Sequence, residues 1–314
     1  MSNYDIEKET ANDENPIEDM GDYLGKMNLL PKSVCRLVIE RRKGTGFFLK
    51  YLHGDDLINV LMTNFHVIRE SDIKHQTEIS IYVKGENPFD YKQDTLFKIR
   101  FNKNERIILQ SEEEDYTIIQ ILPKDFPGKE ISYLDIDLAY EEEKGFDSYL
   151  NTQIFVVQHP GGIEKVKISK GLIKEILPNN YSFSYNAGTQ KGSSGSPIIS
   201  QTTLKVIGIH FGGAKKEQLN FGTFIGFIER KEENTGTKEN SENIDFRKEF
   251  REICERYPKK NFSFQTEVKR IQDTNGVFYG ECNKATGEQY GRGIKILDDG
   301  NKYKGEFIMI NWKR

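Results

Sequence analysis

Between Val34 and Ile228 the chain breaks into short runs: VCRLVIER, TGFFLKY, DLINVLMT, TEISIYV, DTLFKIRF, RIILQ, YTIIQI, QIFVV, KVKIS, GLIKEIL, SFSY, LKVIGI and TFIGFI. No other feature constrains the fold as much. The runs are apolar or alternating, rich in β-branched and aromatic residues, and separated by Gly, Asp or Asn, which is the pattern of strands and turns. So many short strands in one stretch predict an all-β barrel or sandwich.

The sequence on either side changes character. Residues 1 to 24 hold eight acidic side chains against one lysine and few bulky apolar groups. Such a composition buries too little surface to offset the entropy of ordering, so residues 1–31 are expected to form an acidic disordered tail. Its opening, MSNYDIEKETANDENPIEDM, has neither a basic start nor an apolar run and is read as neither signal peptide nor membrane anchor. The strand-rich domain is expected over 32–228. Residues 229–243, ERKEENTGTKENSEN, contain no apolar side chain and read as a flexible linker. Phe246, Phe250, Ile253 and Tyr257 then recur at helical spacing, predicting an amphipathic helix over 244–258 that Pro258 ends.

The last segment, 270–314, carries a near-repeat. Phe278-Tyr279-Gly280-Glu281 and Tyr303-Lys304-Gly305-Glu306 lie 25 residues apart, a period that suggests stacked hairpins. It resembles the MORN repeat family, and the resemblance implies antiparallel hairpins and a protein or membrane partner.

Charge excludes a nucleic-acid role. With 49 acidic and 45 basic side chains and a net charge of -4, the chain has no global positive field, and no nucleic-acid partner is expected. Cys35, Cys254 and Cys282 are odd in number and far apart, so neither a disulfide framework nor a CxxC metal site is expected. The same scarcity fits a reducing compartment, and a cytoplasmic location, with the nucleus open, is the expectation.

The chemistry concentrates in GSSGSP, residues 192 to 197. A nucleophilic serine needs a tight turn that exposes its hydroxyl while backbone N–H groups converge on the developing oxyanion, and flanking glycines permit that path. Ser194 occupies that position, with the N–H groups of Gly192 and Ser194 as the expected oxyanion hole. His66, in TNFHVI, follows an apolar strand, and Asp115, in EEDYTIIQI, precedes another. Both can project from strand ends into one cleft. The chain order His, Asp, Ser differs from the Ser, acid, His order of α/β-hydrolases, and Ser196 breaks the GxSxG elbow those enzymes require. Asp137, in YLDIDLAY, is the rival acid. The histidines lack HExxH spacing, so no metal or cofactor is expected.

These motifs, with GTGFF before His66, HPGG at 159 to 162, SKGLI at 169 to 173 and GIHFGG at 208 to 213, make residues 32 to 229 resemble the trypsin-like peptidases. Glutamyl endopeptidases and disulfide-poor intracellular members are the nearest in pattern. The resemblance implies two six-stranded antiparallel β-barrels of the chymotrypsin type with a cleft between them, a serine endopeptidase mechanism, and protein or peptide substrates. It also places Gly188 and Thr189 at the base of the specificity pocket and His210 and Gly212 on the strand lining it. Neither base residue is acidic, which disfavours Lys or Arg selection. In this family a histidine with a hydroxyl implies cleavage after Glu first, with Gln second. His159 reads as part of a turn and receives no role. The alternatives are a catalytically silent scaffold that binds through the MORN-like repeats, and a self-processing protease cut within 229–243.

Overall fold

The computed structural model describes residues 20–236 apart from 54–55, 86, 88–89, 142–143, 179–180 and 215–217. It also describes Ile253 and most of the positions between 266 and 307. The protein is mostly β. Strands β1 (Val34–Ile39), β2 (Arg42–His53), β3 (Asp56–Thr63), β4 (Ile79–Val83), β5 (Thr95–Ile99), β6 (Ile108–Ser111) and β7 (Tyr116–Gln120) form one sheet in the order β5-β4-β1-β2-β3-β7-β6. All its pairs are antiparallel. Strands β8 (Gln153–Gln158), β9 (Lys167–Ile176), β10 (Ser182–Tyr185), β11 (Pro197–Ser200), β12 (Val206–Ala214) and β13 (Leu219–Phe224) close into a barrel in the order β10-β13-β12-β11-β8-β9.

The expectation of two six-stranded barrels therefore needs correction. One closed six-stranded barrel is present, and the other unit is an open seven-stranded sheet. The edge strand β5 accounts for this: Leu96 is exposed, and Lys98 and Arg100 pair with Glu78 in solvent. Charge along an edge blunts further pairing.

Period-two alternation divides the open sheet between two cores. Phe47, Leu49, Val60, Met62 and Ile118 join the barrel residues Val156, Phe183, Ile198 and Ile209 in one cluster. Their neighbours Phe48, Leu61 and Ile119 join Leu37, Ile81 and Phe126 in the other. Residues 134–136 stitch the units together, because Leu134 bridges to Leu49 of β2 and Ile136 to Val206 of β12.

Two further expectations change. The acidic tail is not disordered throughout 1–31: Met20–Leu29 form helix α1, and Leu30 and Pro31 are buried beyond it. Tyr23 and Met27, one helical turn apart, pack on the larger core, and Tyr23 Oη donates to the Gln201 carbonyl at 3.1 Å. The linker assigned to 229–243 begins inside a helix. After the one-turn α2 (Glu70–Lys74), α3 runs Ile225–Gly236, with Ile225 and Ile228 fully buried and Glu229 accepting a hydrogen bond from Tyr140 Oη at 3.0 Å. Composition alone reads those charged residues as solvated, whereas they meet buried partners. Of the helix expected over 244–258, only Ile253 lies among the described residues, helical and buried.

Strands β14 (Thr266–Asp273), β15 (Gly276–Asn283), β16 (Gln289–Leu297) and β17 (Lys302–Phe307) form a separate antiparallel meander. Gly280, Gly293 and Gly305 face one another across three of its strands, and a buried Arg292–Glu281 ion pair of 2.7 Å lies beside them. Among the described residues no helix is long and apolar enough to cross a membrane.

Candidate active site

His66 sits in the turn after β3, and Asp115 in the tight turn joining β6 to β7. Both Asp115 carboxylate oxygens point at His66. One accepts the His66 backbone N–H at 3.0 Å, and the other lies 2.7 Å from ring Nδ1. Asp115 has φ of 55°, a left-handed conformation that Asp tolerates better than most residues, and Asn64 Nδ2 fixes its carbonyl at 2.8 Å. Asp137 is elsewhere: it is buried and accepts hydrogen bonds from the Ala139 N–H, Tyr149 Oη and Thr203 Oγ1.

Ser194 lies in the loop that feeds β11. Gly192 (φ 92°) and Gly195 (φ 86°) flank it in conformations that side chains resist, and a Cβ on Gly195 would stand 2.1 Å from the Thr45 carbonyl. Thr45 of β2 grips this loop from the other unit. Its N–H donates to the Ser194 carbonyl at 2.8 Å and its Oγ1 to the Gly192 carbonyl at 2.9 Å. The Lys191 carbonyl accepts from the Gly161 N–H at 2.6 Å, and the Ser193 carbonyl from the Ser196 N–H at 3.0 Å. Because a trans peptide points its N–H opposite to its carbonyl, the Gly192 and Ser194 N–H groups face away from these contacts. Neither has a protein partner among the described residues.

The two halves meet at this loop. Gly44 is wedged between Val67, which follows His66, and the Ser194 carbonyl, since a Cβ there would lie 2.6 Å from Val67 and 3.3 Å from that oxygen. The Gly195 N–H donates to the His210 carbonyl at 2.9 Å.

Ser194 opens onto a pocket of about 510 Å³ whose lining includes Gly188, Thr189, His210, Gly212 and Asn220. His210 of β12 is buried, and its Nδ1 lies 2.7 Å from Tyr185 Oη and 3.3 Å from the Phe221 carbonyl. Burial pushes its pKa down to about 4, although the Phe221 contact opposes this. Burial also holds the Tyr185 phenol far above its usual range, so it stays protonated. Thr189 Oγ1 donates to Asn220 Oδ1 at 2.6 Å, and Asn220 Nδ2 donates to the Ala187 carbonyl at 2.7 Å. Behind the loop, Ser193 Oγ donates to Gln158 Oε1 at 2.5 Å, and Gln158 Nε2 reaches the Gly188 carbonyl at 2.9 Å, tying the serine loop to the pocket wall.

A family model described as the trypsin-like peptidase domain matches residues 44–209, more than half of the sequence. The chain belongs to the trypsin-like peptidase family. That family is a serine-endopeptidase class of hydrolase acting on proteins or peptides. Secreted RxLR effector protein 73 of Plasmopara viticola is 26% identical over 214 residues, covering 63% of this chain and 50% of that protein. The chain thus spans about half the length of that curated relative. Among solved structures, the serine endoprotease from Yersinia pestis aligns with a TM-score of 0.47 and 13% identity over 66% of this chain and 64% of that one. The active form of the Rv3671c protease from M. tuberculosis aligns with a TM-score of 0.47 and 18% identity over 75% and 96%.

Sequence reasoning overlooked several residues of this trypsin-like domain. Thr45 lies inside the GTGFF motif, where a hydroxyl between two glycines was the available signal. Tyr185 and Gln158 sit in ordinary strand runs and gave none. Replacing Thr45 with Val is expected to lower kcat by about tenfold or more with little change in KM, because the Ser194 loop loses the hydroxyl that holds the Gly192 carbonyl. Thr45→Ser should keep activity within a few-fold. Steady-state kinetics on one peptide substrate checks both.

His159 and His210 make stability depend on pH. Burial lowers their pKa values to about 3 and about 4, below the ordinary value of about 6.5 for an exposed imidazole. Their neutral forms are favoured only in the folded state, so the stabilisation is complete above pH 6.5. It falls as the unfolded chain binds protons, by up to about 1.4 kcal/mol per pH unit per histidine, until the folded pKa values are passed. Urea unfolding should show a lower midpoint at pH 5 than at pH 7. Equal midpoints would contradict this account.

Proposed function

We propose that this chain is an active serine endopeptidase that uses His66, Asp115 and Ser194 and cleaves after a carboxamide or carboxylate side chain, Gln before Glu. The observation that carries the reading is the His66–Asp115 pair beside a serine loop with two unpartnered N–H donors. Ser194 Oγ attacks the scissile carbonyl carbon while its proton passes to His66 Nε2, and Asp115 holds the Nδ1–H tautomer and stabilises the imidazolium. The oxyanion rests on the Gly192 and Ser194 N–H groups. Collapse breaks the C–N bond, His66 returns the proton to the leaving amine, and water then hydrolyses the acyl ester by the same base.

The polarity of the pocket supports the side-chain preference. A Tyr185 hydroxyl donating to His210 Nδ1 leaves the proton on Nε2, so the neutral ring offers a donor to the pocket. Thr189 has already donated its proton to Asn220, so its oxygen offers only an acceptor. One donor beside one acceptor complements a carboxamide, whereas a carboxylate meets the Thr189 lone pairs unfavourably. Lys191 at the pocket is exposed, and its charge is screened by water. Peptide-library profiling of the wild type against Ser194→Ala tests the reading. Cleavage after Gln by the wild type alone is expected, and equal cleavage after Leu or Phe would sink the specificity.

We further read β14–β17 as MORN-like hairpins that dock a protein or membrane partner. Co-sedimentation with anionic vesicles distinguishes the two, since retention in the supernatant leaves the protein partner.

A further inference from the structure

The acid turn carries two features that sequence composition dismissed. Glu114 precedes Asp115 in a run of four acids and reads as one more solvated carboxylate, and Lys231 falls in the segment read as linker. In the fold, Glu114 is buried, with 5% of its surface exposed, and its Oε1 lies 2.5 Å from Lys231 Nζ of α3. Its second carboxylate oxygen accepts from Ser111 Oγ at the start of the same turn, and its backbone carbonyl accepts from Thr223 Oγ1 of β13 at 3.1 Å. The Lys231 and Ser111 contacts hold its carboxyl below the ordinary range against the desolvation of burial, so it is charged at neutral pH.

These contacts bear on Asp115 directly. The turn keeps Asp115 in a left-handed conformation and presents both of its oxygens to His66. A buried, charged Glu114 has nowhere favourable to go without Lys231, because an unpaired carboxylate in that position draws the turn toward water. Movement of the turn displaces the Asp115 oxygens by the same amount. We propose that Lys231 is a positioning residue: the α3 helix, through its ion pair with Glu114, locks the acid turn so that Asp115 orients His66. Activity of the trypsin-like domain then depends on a helix that lies beyond residues 44–209. The inference rests on the catalytic reading above.

The test uses the full chain and a Gln-containing peptide, comparing wild type with Lys231→Met, Glu114→Gln, Lys231→Arg and the Lys231→Met/Glu114→Gln double variant. Each of the first two is expected to lower kcat by about tenfold at unchanged KM, as displacement of an orienting group does. Lys231→Arg keeps the pair and should stay within about threefold of wild type, and the double variant should fall no further than either single, since both break one lock. If Lys231→Met does not fold, Glu114→Gln and Lys231→Arg carry the comparison. A kcat within about twofold of wild type in the single variants, a loss confined to KM, or fully additive losses in the double variant would overturn the lock. A wild type that hydrolyses nothing and takes no fluorophosphonate label overturns the catalytic reading instead, so the two failures are distinguishable.

Discussion

Asp115→Asn should reduce kcat by about ten-thousandfold while leaving the fold intact. The expectation follows from the two bonds that Asp115 makes. One oxygen accepts the His66 backbone N–H, so an asparagine placed there keeps its carbonyl oxygen on that donor and turns its NH2 toward ring Nδ1. The ring must then accept at Nδ1 and carry its proton on Nε2. In that tautomer it cannot take the Ser194 proton, so the loss appears in kcat rather than KM. Asp137→Asn supplies the contrast. Asp137 accepts from an N–H and two hydroxyls at the junction of the two units, so its amide variant should lose stability and keep kcat. Steady-state kinetics with thermal unfolding separates the two variants, and the opposite pattern would assign the acid to Asp137.

The second large effect concerns the pocket. At pH 7.5 a Gln peptide should be cleaved at least about tenfold faster, in kcat/KM, than the matched Glu peptide, as expected when a site leaves one polar group wrongly paired. Lowering the pH should narrow the ratio. A glutamate side chain titrates near pH 4.3, and its protonated form offers the donor and acceptor of a carboxamide. His210, with a pKa of about 4, remains neutral until pH 5 is passed and then gains a proton on Nδ1, toward Tyr185 and the Phe221 carbonyl, whose positive charge favours the carboxylate as well. Both changes raise Glu cleavage relative to Gln, and any loss of rate common to both peptides cancels from the ratio. His210→Ala should abolish the preference, and Tyr185→Phe should weaken it by freeing the ring tautomer. A ratio independent of pH would count against this pairing.

The site was more legible in the sequence than its supports. GSSGSP announces itself because positive φ on both sides of a serine demands glycine, and His66 and Asp115 stand at the ends of apolar strands where the chain must turn. His210 and Thr189 came from a resemblance, and the structure brings both to the pocket of Ser194. Glu114 was illegible because four consecutive acids look alike until a turn faces one of them inward. Helix α3 was illegible for a related reason: beyond Ile228 charged groups with buried partners hold it, and a periodicity search sees only apolar stripes. Most strand runs survived, but KVKIS and GLIKEIL form one strand, β9, Pro197–Ser200 was missed as β11, and the first sheet has seven strands and does not close. Whether an edge pairs depends on β5 side chains such as Lys98, whose effect is a matter of geometry rather than pattern.

The most direct test of the central claim is labelling with a fluorophosphonate followed by peptide mass spectrometry. The account predicts one adduct on Ser194 in the wild type, none on Ser194→Ala, and slow labelling of His66→Ala. An unlabelled wild type, or an adduct on any other serine, would contradict it.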